Sequence, residues 1–155
     1  MALEPWDIKD PDLLIHSVAQ QVPLTEDTAY VVLVRRPSTR QEIVEIRKLD
    51  LPALLDDGDD ISDELRDVVR SFGVPDTREC LHAVVTIVVR PGRCVIGPNE
   101  AVWFMGWRYS NHFVRTFDSD LILVTEHGWI DWATEYAGHQ PRMATACTSH
   151  ARGVT

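Results

Sequence analysis

The sequence predicts an α+β domain in three layers, with helices flanking a mixed central β-sheet of about four to five strands. The segment Ala83–Val89 is almost entirely β-branched, which is typical of a central strand buried on both faces. A second aliphatic run, Leu121–Val124, predicts another buried strand. Two further segments, 61–72 and 100–114, carry apolar residues at helical spacing. The predicted order is therefore α-β-β-α-β-(β)-α-β-α, in a single domain over residues 1–143.

The chain is predicted to begin with a helix and a β-hairpin. Asp10 can cap the helix, Pro11 fits its first position, and Pro23 ends it. The two hairpin strands are expected at Ala29–Arg36 and Glu42–Leu49, on either side of a Pro-Ser-Thr turn. We therefore expect one helix and two paired strands before the acidic loop that follows.

That acidic loop, residues 56–60, leads into an amphipathic helix. The loop lacks the alternating acids that an EF-hand needs ahead of its glycine, so a calcium site is not expected. Its acids instead favour the start of the helix through the helix dipole. The helix itself is indicated by apolar residues at helical spacing: Ile61, Leu65, Val68, Val69 and Phe72. We expect Val68 and Phe72 to be buried against the sheet.

The second half of the chain is predicted to add two strands and two helices. A short extended segment, Cys94–Ile96, follows the central strand, and a largely apolar helix runs from Glu100 to about Val114. The last strand is expected at Leu121–Thr125, and a short helix at Asp131–Tyr136. Residues 144–155 are small and polar, which is typical of a flexible C-terminal tail.

Charge is distributed unevenly along the chain, and this bears on its partners. The net charge of −9 is carried by residues 1–80, which hold 18 acids and 9 bases, whereas residues 81–155 hold 6 of each. An acidic surface disfavours nonspecific nucleic-acid binding and anionic membranes, but it suits a protein partner of basic character. A second copy of the same chain, which would form a homodimer, is a further candidate for the partner.

The cysteines and the N-terminus predict a cytoplasmic protein. Cys80, Cys94 and Cys147 are odd in number, widely spaced and without a CxxC pair, which favours free thiols in a reducing compartment. The N-terminus has no basic region followed by an apolar stretch, so a secretory signal is not expected. The aliphatic runs are also too short to cross a bilayer.

The predicted order of elements resembles the JAB/MPN metalloprotease fold and its RadC-like branch over roughly residues 12–130. That family carries His-x-His-Pro at the end of its central strand, followed by a serine and an aspartate. Here Val88 and Arg90 stand at the histidine positions, and Pro98 and Ala101 stand where the serine and aspartate would be. The resemblance therefore implies the fold of that family without its metal ligands or its hydrolytic activity.

We expect no metal ion and no cofactor. Cys80 and His82 could ligate zinc together with Cys94 or His112, but these residues lack the local pairs that structural zinc sites normally show. The glycines near the central strand do not form a phosphate-binding loop.

Nucleophilic catalysis is equally weakly indicated. The chain has no Gly-x-Ser-x-Gly elbow, and Cys94 has no recognisable signature around it. A triad of Cys94, His127 and Glu126 is geometrically conceivable, because triad members meet in space rather than in sequence.

The strongest candidate site is Thr125-Glu126-His127-Gly128-Trp129, which directly follows the last predicted strand. Ligand crevices in open α/β sheets form outside the carboxyl ends of strands. A polar stripe on the preceding helix, made of Arg108, Asn111, His112 and Arg115, could open beside it. The expected binding residues are Arg108, Asn111, His112, Glu126, His127 and Trp129.

Two interpretations of these residues remain open. In the first they form the binding surface of a small non-catalytic interaction or regulatory protein, with Arg108 or His112 within about 10 Å of His127, roughly one Debye length. In the second the stripe is the ordinary solvent face of a helix, and Trp129 packs beneath a hydrogen-bonded turn. The alternative function is a small hydrolase-like enzyme on the JAB-like scaffold, with Glu126 and His127 as acid and base.

Overall fold

The computed structural model describes residues 3–56, 58–74, 79, 81–110 and 116–144. Within these residues the chain forms three helices and one six-stranded sheet. The helices are α1 (Pro11–Gln21), α2 (Ser62–Ser71) and α3 (Pro98–Arg108). The strands are β1 (Thr28–Arg35), β2 (Glu42–Lys48), β3 (His82–Val89), β4 (Thr116–Thr125), β5 (Gly128–Asp131) and β6 (Ala137–Gly138).

The strands lie in the order β2-β1-β3-β4-β5-β6. Only the central pair, β3 and β4, is parallel, and α3 connects these two strands. The other neighbours are antiparallel. The predicted class, an α+β domain with a mixed sheet flanked by helices, is confirmed, and the described sheet has six strands rather than four to five.

Each face of the sheet buries its own apolar core, and β3 contributes to both. Val85, Ile87 and Val89 pack on the α1 side, together with Leu14, Ile15 and Val18 of that helix. Val84 and Val88 pack on the opposite side, together with Leu65, Val69, Trp103 and Trp107 of α2 and α3. The β-branched run of β3 is therefore a central strand buried on both faces, as its composition predicts.

Helix α2 is less deeply packed than its spacing predicts. Leu65 and Val69 are fully buried, but Val68 and Phe72 are only partly buried. The guanidinium of Arg47 lies 4.9 Å from the centroid of the Phe72 ring, so this ring is partly covered by a charged side chain of β2. Val68 and Phe72 thus pack against the core as expected, but both side chains stay partly exposed.

Four predicted elements differ in the structure, and three of them are the segment before α3, α3 itself and β4. Cys94–Ile96 lies in the loop before α3 and forms no strand. Helix α3 ends at Arg108 rather than near Val114, and residues 111–115 lie outside the described part of the chain. Strand β4 begins at Thr116, well before the expected Leu121.

The predicted helix at Asp131–Tyr136 is a turn between β5 and β6. The Asp131 carboxylate accepts hydrogen bonds from the Thr134 backbone N–H and from Thr134 Oγ1, at 3.1 and 2.6 Å. Glu135 then has a φ of 63°, which a helix does not allow. An aspartate that could cap a helix instead closes a turn here.

The last described residues are bound to the sheet. Met143 is buried and its N–H donates to Thr125 O at 2.9 Å, and the Ala144 N–H donates to Leu24 O at 2.9 Å. The remainder of the expected C-terminal tail, residues 145–155, lies outside the described residues. Among the helices that the structure describes, none has the length and apolar character needed to cross a bilayer.

The packing of α2 predicts that alanine substitutions at different positions of this helix lower the free energy of unfolding by different amounts. Leu65→Ala should lower the free energy of unfolding by about 2–5 kcal/mol, because it removes a fully buried side chain. Phe72→Ala should cost about 1–2 kcal/mol, because part of that ring is already in water. Urea unfolding of both variants measures this difference, and equal losses would contradict the described position of α2.

Candidate functional site

The parallel strands β3 and β4 end at the same edge of the sheet, and the candidate site lies there. Arg90 follows β3, and its N–H donates to Val124 O of β4 at 3.1 Å. Glu126 and His127 follow β4 directly. This is the edge at which ligand crevices form in open α/β sheets. The structure thus places Glu126 and His127 at the carboxyl edge of the two parallel strands, as the sequence predicts.

A buried ion pair between Arg90 and Glu100 occupies this edge. Arg90 Nε lies 2.9 Å from Glu100 Oε2, and Arg90 Nη2 lies 2.8 Å from Glu100 Oε1. The Glu100 side chain is 0% exposed, and it also accepts hydrogen bonds from the Gly97 N–H at 2.9 Å and from Asn99 Nδ2 at 3.0 Å. A bidentate contact with these added donors compensates for the removal of the carboxylate from water.

The other donors of Arg90 bind the loop that leads to α3. Nη1 donates to Pro91 O at 3.2 Å and to Arg93 O at 3.4 Å, and Nη2 donates to Val95 O at 3.1 Å. These carbonyls are therefore satisfied by one side chain instead of by a strand partner. This explains why Cys94–Ile96 lies in a loop, contrary to the expected short strand.

The ion pair keeps both groups charged. Burial alone would raise the pKa of Glu100, but the hydrogen bonds from Arg90, Gly97 and Asn99 outweigh it and lower that pKa below its usual value. The hydrogen bond to Glu100 raises the pKa of Arg90. The edge of the sheet thus contains a fixed cation and a fixed anion that neutralise each other.

The residues at this edge do not suit a metal ion. Arg90 is a cation itself and binds Glu100. No group of three or more His, Cys, Asp or Glu residues suited to a metal ion occurs in the described ranges. Of the residues considered for zinc, His82 is the first residue of the eight-residue strand β3 and Cys94 follows the other end of that strand, so these two side chains lie roughly 20 Å apart. Cys80 and His112 lie outside the described residues.

Glu126 and His127 lie together, but in different surroundings. Glu126 Oε1 accepts a hydrogen bond from the Gly92 N–H at 2.7 Å, which ties the loop after β3 to the turn after β4. His127 Nε2 lies 3.8 Å from Glu126 Oε1, and the His127 side chain is 68% exposed. Cys94 is half-buried, and burial raises the pKa of its thiol, which makes it a weak nucleophile for the conceivable triad.

Trp129 belongs to the core and not to a surface. Its side chain is 1% exposed, and its Nε1 donates to Gln140 O at 2.8 Å. Gly128, beside it, has a φ of +129°, and a Cβ there would lie 2.0 Å from Gly138 O, so the turn into β5 requires glycine. The expectation that Trp129 frames a binding surface is wrong, and its indole instead packs under the turn.

Two of the expected binding residues that the structure describes, Arg108 and His127, lie far from each other. Helix α3 starts at the edge that holds Glu126, because Glu100 in its first turn binds Arg90. Trp107, near its other end, donates from Nε1 to Thr86 Oγ1, at the middle of β3. Arg108 therefore lies at the far end of a helix roughly 16 Å long, away from His127. Asn111 and His112 lie outside the described residues.

A surface that the sequence analysis missed lies on the side of α3 that faces away from the sheet. Trp103 and Trp107 point inward and are buried, whereas Phe104, Met105 and Tyr109 are 45%, 42% and 65% exposed. The Phe104 ring stacks on Trp132, with ring centroids 5.5 Å apart and planes at 16°. We call Phe104, Met105, Tyr109 and Trp132 the outer face of α3. Helix α3 carries large apolar side chains both on the side that faces the sheet and on the side that faces away from it. The sheet covers only the first of these two surfaces, so the second remains open to another packing partner.

A cleft separates this outer face from the start of α2. It has a volume of about 460 Å³ and is lined by Asp59, Asp60, Ile61, Ala101, Val102, Met105, Gly106 and Tyr109. At the floor of the cleft Ile61 lies directly against the backbone of α3, because a Cβ at Gly106 would lie 2.6 Å from Ile61 Cγ1. Only a glycine lets α3 approach α2 this closely. The cleft thus has apolar walls and two carboxylates at its rim.

Two acidic side chains, Asp120 and Asp131, meet at the β4–β5 edge. Asp131 is fully buried, and its Oδ1 has no hydrogen-bond donor among the described residues. Asp120 Oδ1 accepts from the Leu121 and Ala133 N–H groups at 2.8 and 3.1 Å. Burial and the adjacent Asp131 carboxyl raise the pKa of Asp120 to about 9. The Asp120 carboxyl group therefore keeps its proton at neutral pH.

The Arg90–Glu100 ion pair predicts that the stability losses of the two single substitutions do not add up in the double variant. Arg90→Met should lower the free energy of unfolding by about 3–5 kcal/mol, because it leaves a buried carboxylate without its cation. The double variant Arg90→Met with Glu100→Leu should recover most of that loss. Chemical denaturation of the two single variants and the double variant measures the coupling, and additive losses would show that the pair contributes no buried interaction.

The Asp120–Asp131 pair predicts a pH-dependent stability. The pKa of Asp120 is raised from 3.8 to about 9, so the folded protein keeps a proton that the unfolded chain has released. Stability should therefore fall as pH rises between about 4 and about 9, by about 1 kcal/mol per pH unit. Asp120→Asn should remove this decline and stabilise the protein at pH 8. Thermal unfolding across that range tests both statements, and an unchanged slope in the variant would exclude Asp120 as the group responsible.

Comparison with known proteins adds no assignment for this edge, cleft or helix face. No family model matches the chain, and neither a curated protein nor a solved structure matches it significantly.

Proposed function

We propose that this protein is a small non-catalytic interaction or regulatory protein that binds a protein partner through its second half. The observation that carries the proposal is the outer face of α3. Phe104, Met105 and Tyr109 expose large side chains, although Trp103 and Trp107 on the same helix already fill the core. Exposed apolar patches on a compact domain mark interaction sites.

The composition of this surface suits binding to a protein. Aromatic residues, methionine and arginine are enriched in interfaces, and tyrosine, tryptophan and arginine dominate their binding energy. Arg108 follows Phe104 by four residues, so it lies on the same stripe of α3. Arg108, one of the binding residues predicted from the sequence, thus joins this surface.

We also propose a scaffold and a cellular location for this protein. The order α-β-β-α-β-α-β supports a JAB/MPN-like scaffold in which the Arg90–Glu100 pair takes the place of a metal site. The free thiol of Cys94 and the acidic composition support a cytoplasmic location and a partner of basic character.

A hydrolase-like enzyme using Glu126 and His127 is the second candidate. It is favoured by the 3.8 Å separation of His127 Nε2 and Glu126 Oε1 at the carboxyl edge of the parallel strands. Against it, the Glu126 carboxylate already accepts the Gly92 N–H, and the neighbouring Arg90 is engaged by Glu100. Neither Glu126 nor His127 lines the cleft between α2 and α3.

Affinity capture from an extract of the source organism tests the proposal. Met105→Ser and Tyr109→Ser should each reduce recovery of the same partner by at least about tenfold, equivalent to about 1.4 kcal/mol, because they remove apolar contact area without changing charge. Tyr136→Ser is the matched control, since Tyr136 is 64% exposed and lies in the turn before β6 rather than on α3. The melting temperatures of all three variants should stay close to that of the wild type.

His127→Ala separates the two candidates. If the outer face of α3 binds the partner, this variant retains it. Full retention by Met105→Ser and Tyr109→Ser, together with loss of the partner in His127→Ala, would contradict the proposal and favour a working site at Glu126 and His127.

A further inference from the structure

The cleft between α2 and α3 has a shape suited to a large apolar side chain. Met105 and Tyr109 form one wall, Ile61 lies opposite, and the volume is about 460 Å³. Because Gly106 lacks a side chain, Ile61 closes the floor directly against α3. The open side of the cleft continues into the exposed outer face of α3. An apolar anchor entering the cleft would therefore extend contacts made on that face.

The rim of the cleft carries the exposed carboxylates of Asp59 and Asp60. The hydrogen bonds from Ser62 and, to a smaller extent, the positive charge of Arg66 lower the pKa of Asp60. Asp59 and Asp60 line the opening, and neither forms a salt bridge in the portion of the chain that the structure describes. Asp60 Oδ1 accepts from the Ser62 N–H and from Ser62 Oγ, at 3.1 and 2.5 Å. Asp59 Oδ2 accepts from the Asp56 N–H at 3.0 Å. These bonds hold both carboxylates in place at the rim.

We propose that the cleft binds a basic amphipathic segment of the partner, with an apolar side chain between Met105 and Ile61 and a lysine or arginine against Asp59 and Asp60. This inference rests on the proposed function and names the chemistry of its partner. Charge complementarity decides the occupant, because the apolar walls alone would accept segments of either charge. The excess of nine acids in residues 1–80 adds a long-range attraction for cations.

The same charges argue against other occupants. In an isologous homodimer through this face, each copy would bring its acidic loop to the same interface, and like charges would oppose association. Nucleic acids and anionic lipids are repelled for the same reason. A cationic protein segment with an apolar side chain is thus the occupant that complements both the apolar walls and the negatively charged rim of the cleft.

A synthetic peptide provides the probe. It is a fluorescein-labelled amphipathic helix of about 18 residues, five turns, with leucine on one face and arginine on the other. One control peptide carries glutamate in place of every arginine, and a second has the basic composition in scrambled order. Fluorescence anisotropy against the full-length protein should show binding of the basic amphipathic peptide, at least about tenfold weaker binding of the scrambled one, and none of the acidic one.

Two double variants locate the binding. Asp59→Asn with Asp60→Asn should weaken peptide binding at least about fivefold, and the asparagine oxygen still accepts the Ser62 N–H at the start of α2. Asp12→Asn with Glu26→Gln is the matched control, because it removes the same charge outside the cleft and should leave affinity within about twofold. Met105→Ser should also weaken binding, which links the apolar wall to the charged rim.

Three results would overturn the inference: no binding of the basic peptide at millimolar concentration, equal binding of the acidic peptide, or equal losses in the two double variants. The natural partner then separates this inference from the proposed function. If Met105→Ser and Tyr109→Ser lose the partner while the Asp59, Asp60 variant keeps it, the basic-segment inference fails and the interaction function stands. If the two serine variants keep the partner, the proposed function fails.

Discussion

The buried ion pair between Arg90 and Glu100 ties the end of β3 to the first turn of α3, and the arrangement of the second half depends on it. A carboxylate that is fully removed from water is stable only with its cation and its other donors in place. The pair therefore fixes where α3 begins and how the loop before it folds. That orientation turns Trp103 and Trp107 towards the sheet and leaves Phe104, Met105 and Tyr109 outside.

Two pairs of ionisable side chains lie at different edges of the sheet. At the carboxyl edge of β3 and β4, the opposite charges of Arg90 and Glu100 neutralise each other. At the β4–β5 edge, burial and the adjacent Asp131 carboxyl raise the pKa of Asp120 to about 9. The chemistry left at the surface of this half is apolar and aromatic on α3 and acidic at the start of α2, and such a surface favours recognition of a partner.

The elements with strong periodicity could be predicted from sequence, and the position of single side chains could not. The central strand and the hairpin followed from β-branched runs and turn residues, and α2 followed from its spacing. The sequence also located the edge that holds Glu126 and His127. It did not show which apolar stripe of α3 faces the sheet, because both stripes carry large side chains. The burial of Trp129 was not predicted, because local sequence does not reveal that Gly138 and Gln140 fold back over its side chain.

Site-specific photocrosslinking tests most directly whether the outer face of α3 is the working surface. A photoreactive phenylalanine analogue at position 109 is compared with the same analogue at position 136, where the native tyrosines are 65% and 64% exposed. In extract of the source organism, we expect one discrete crosslinked partner from position 109 and none from position 136. A discrete adduct from position 136 alone, or identical adducts from both, would contradict a binding surface on α3.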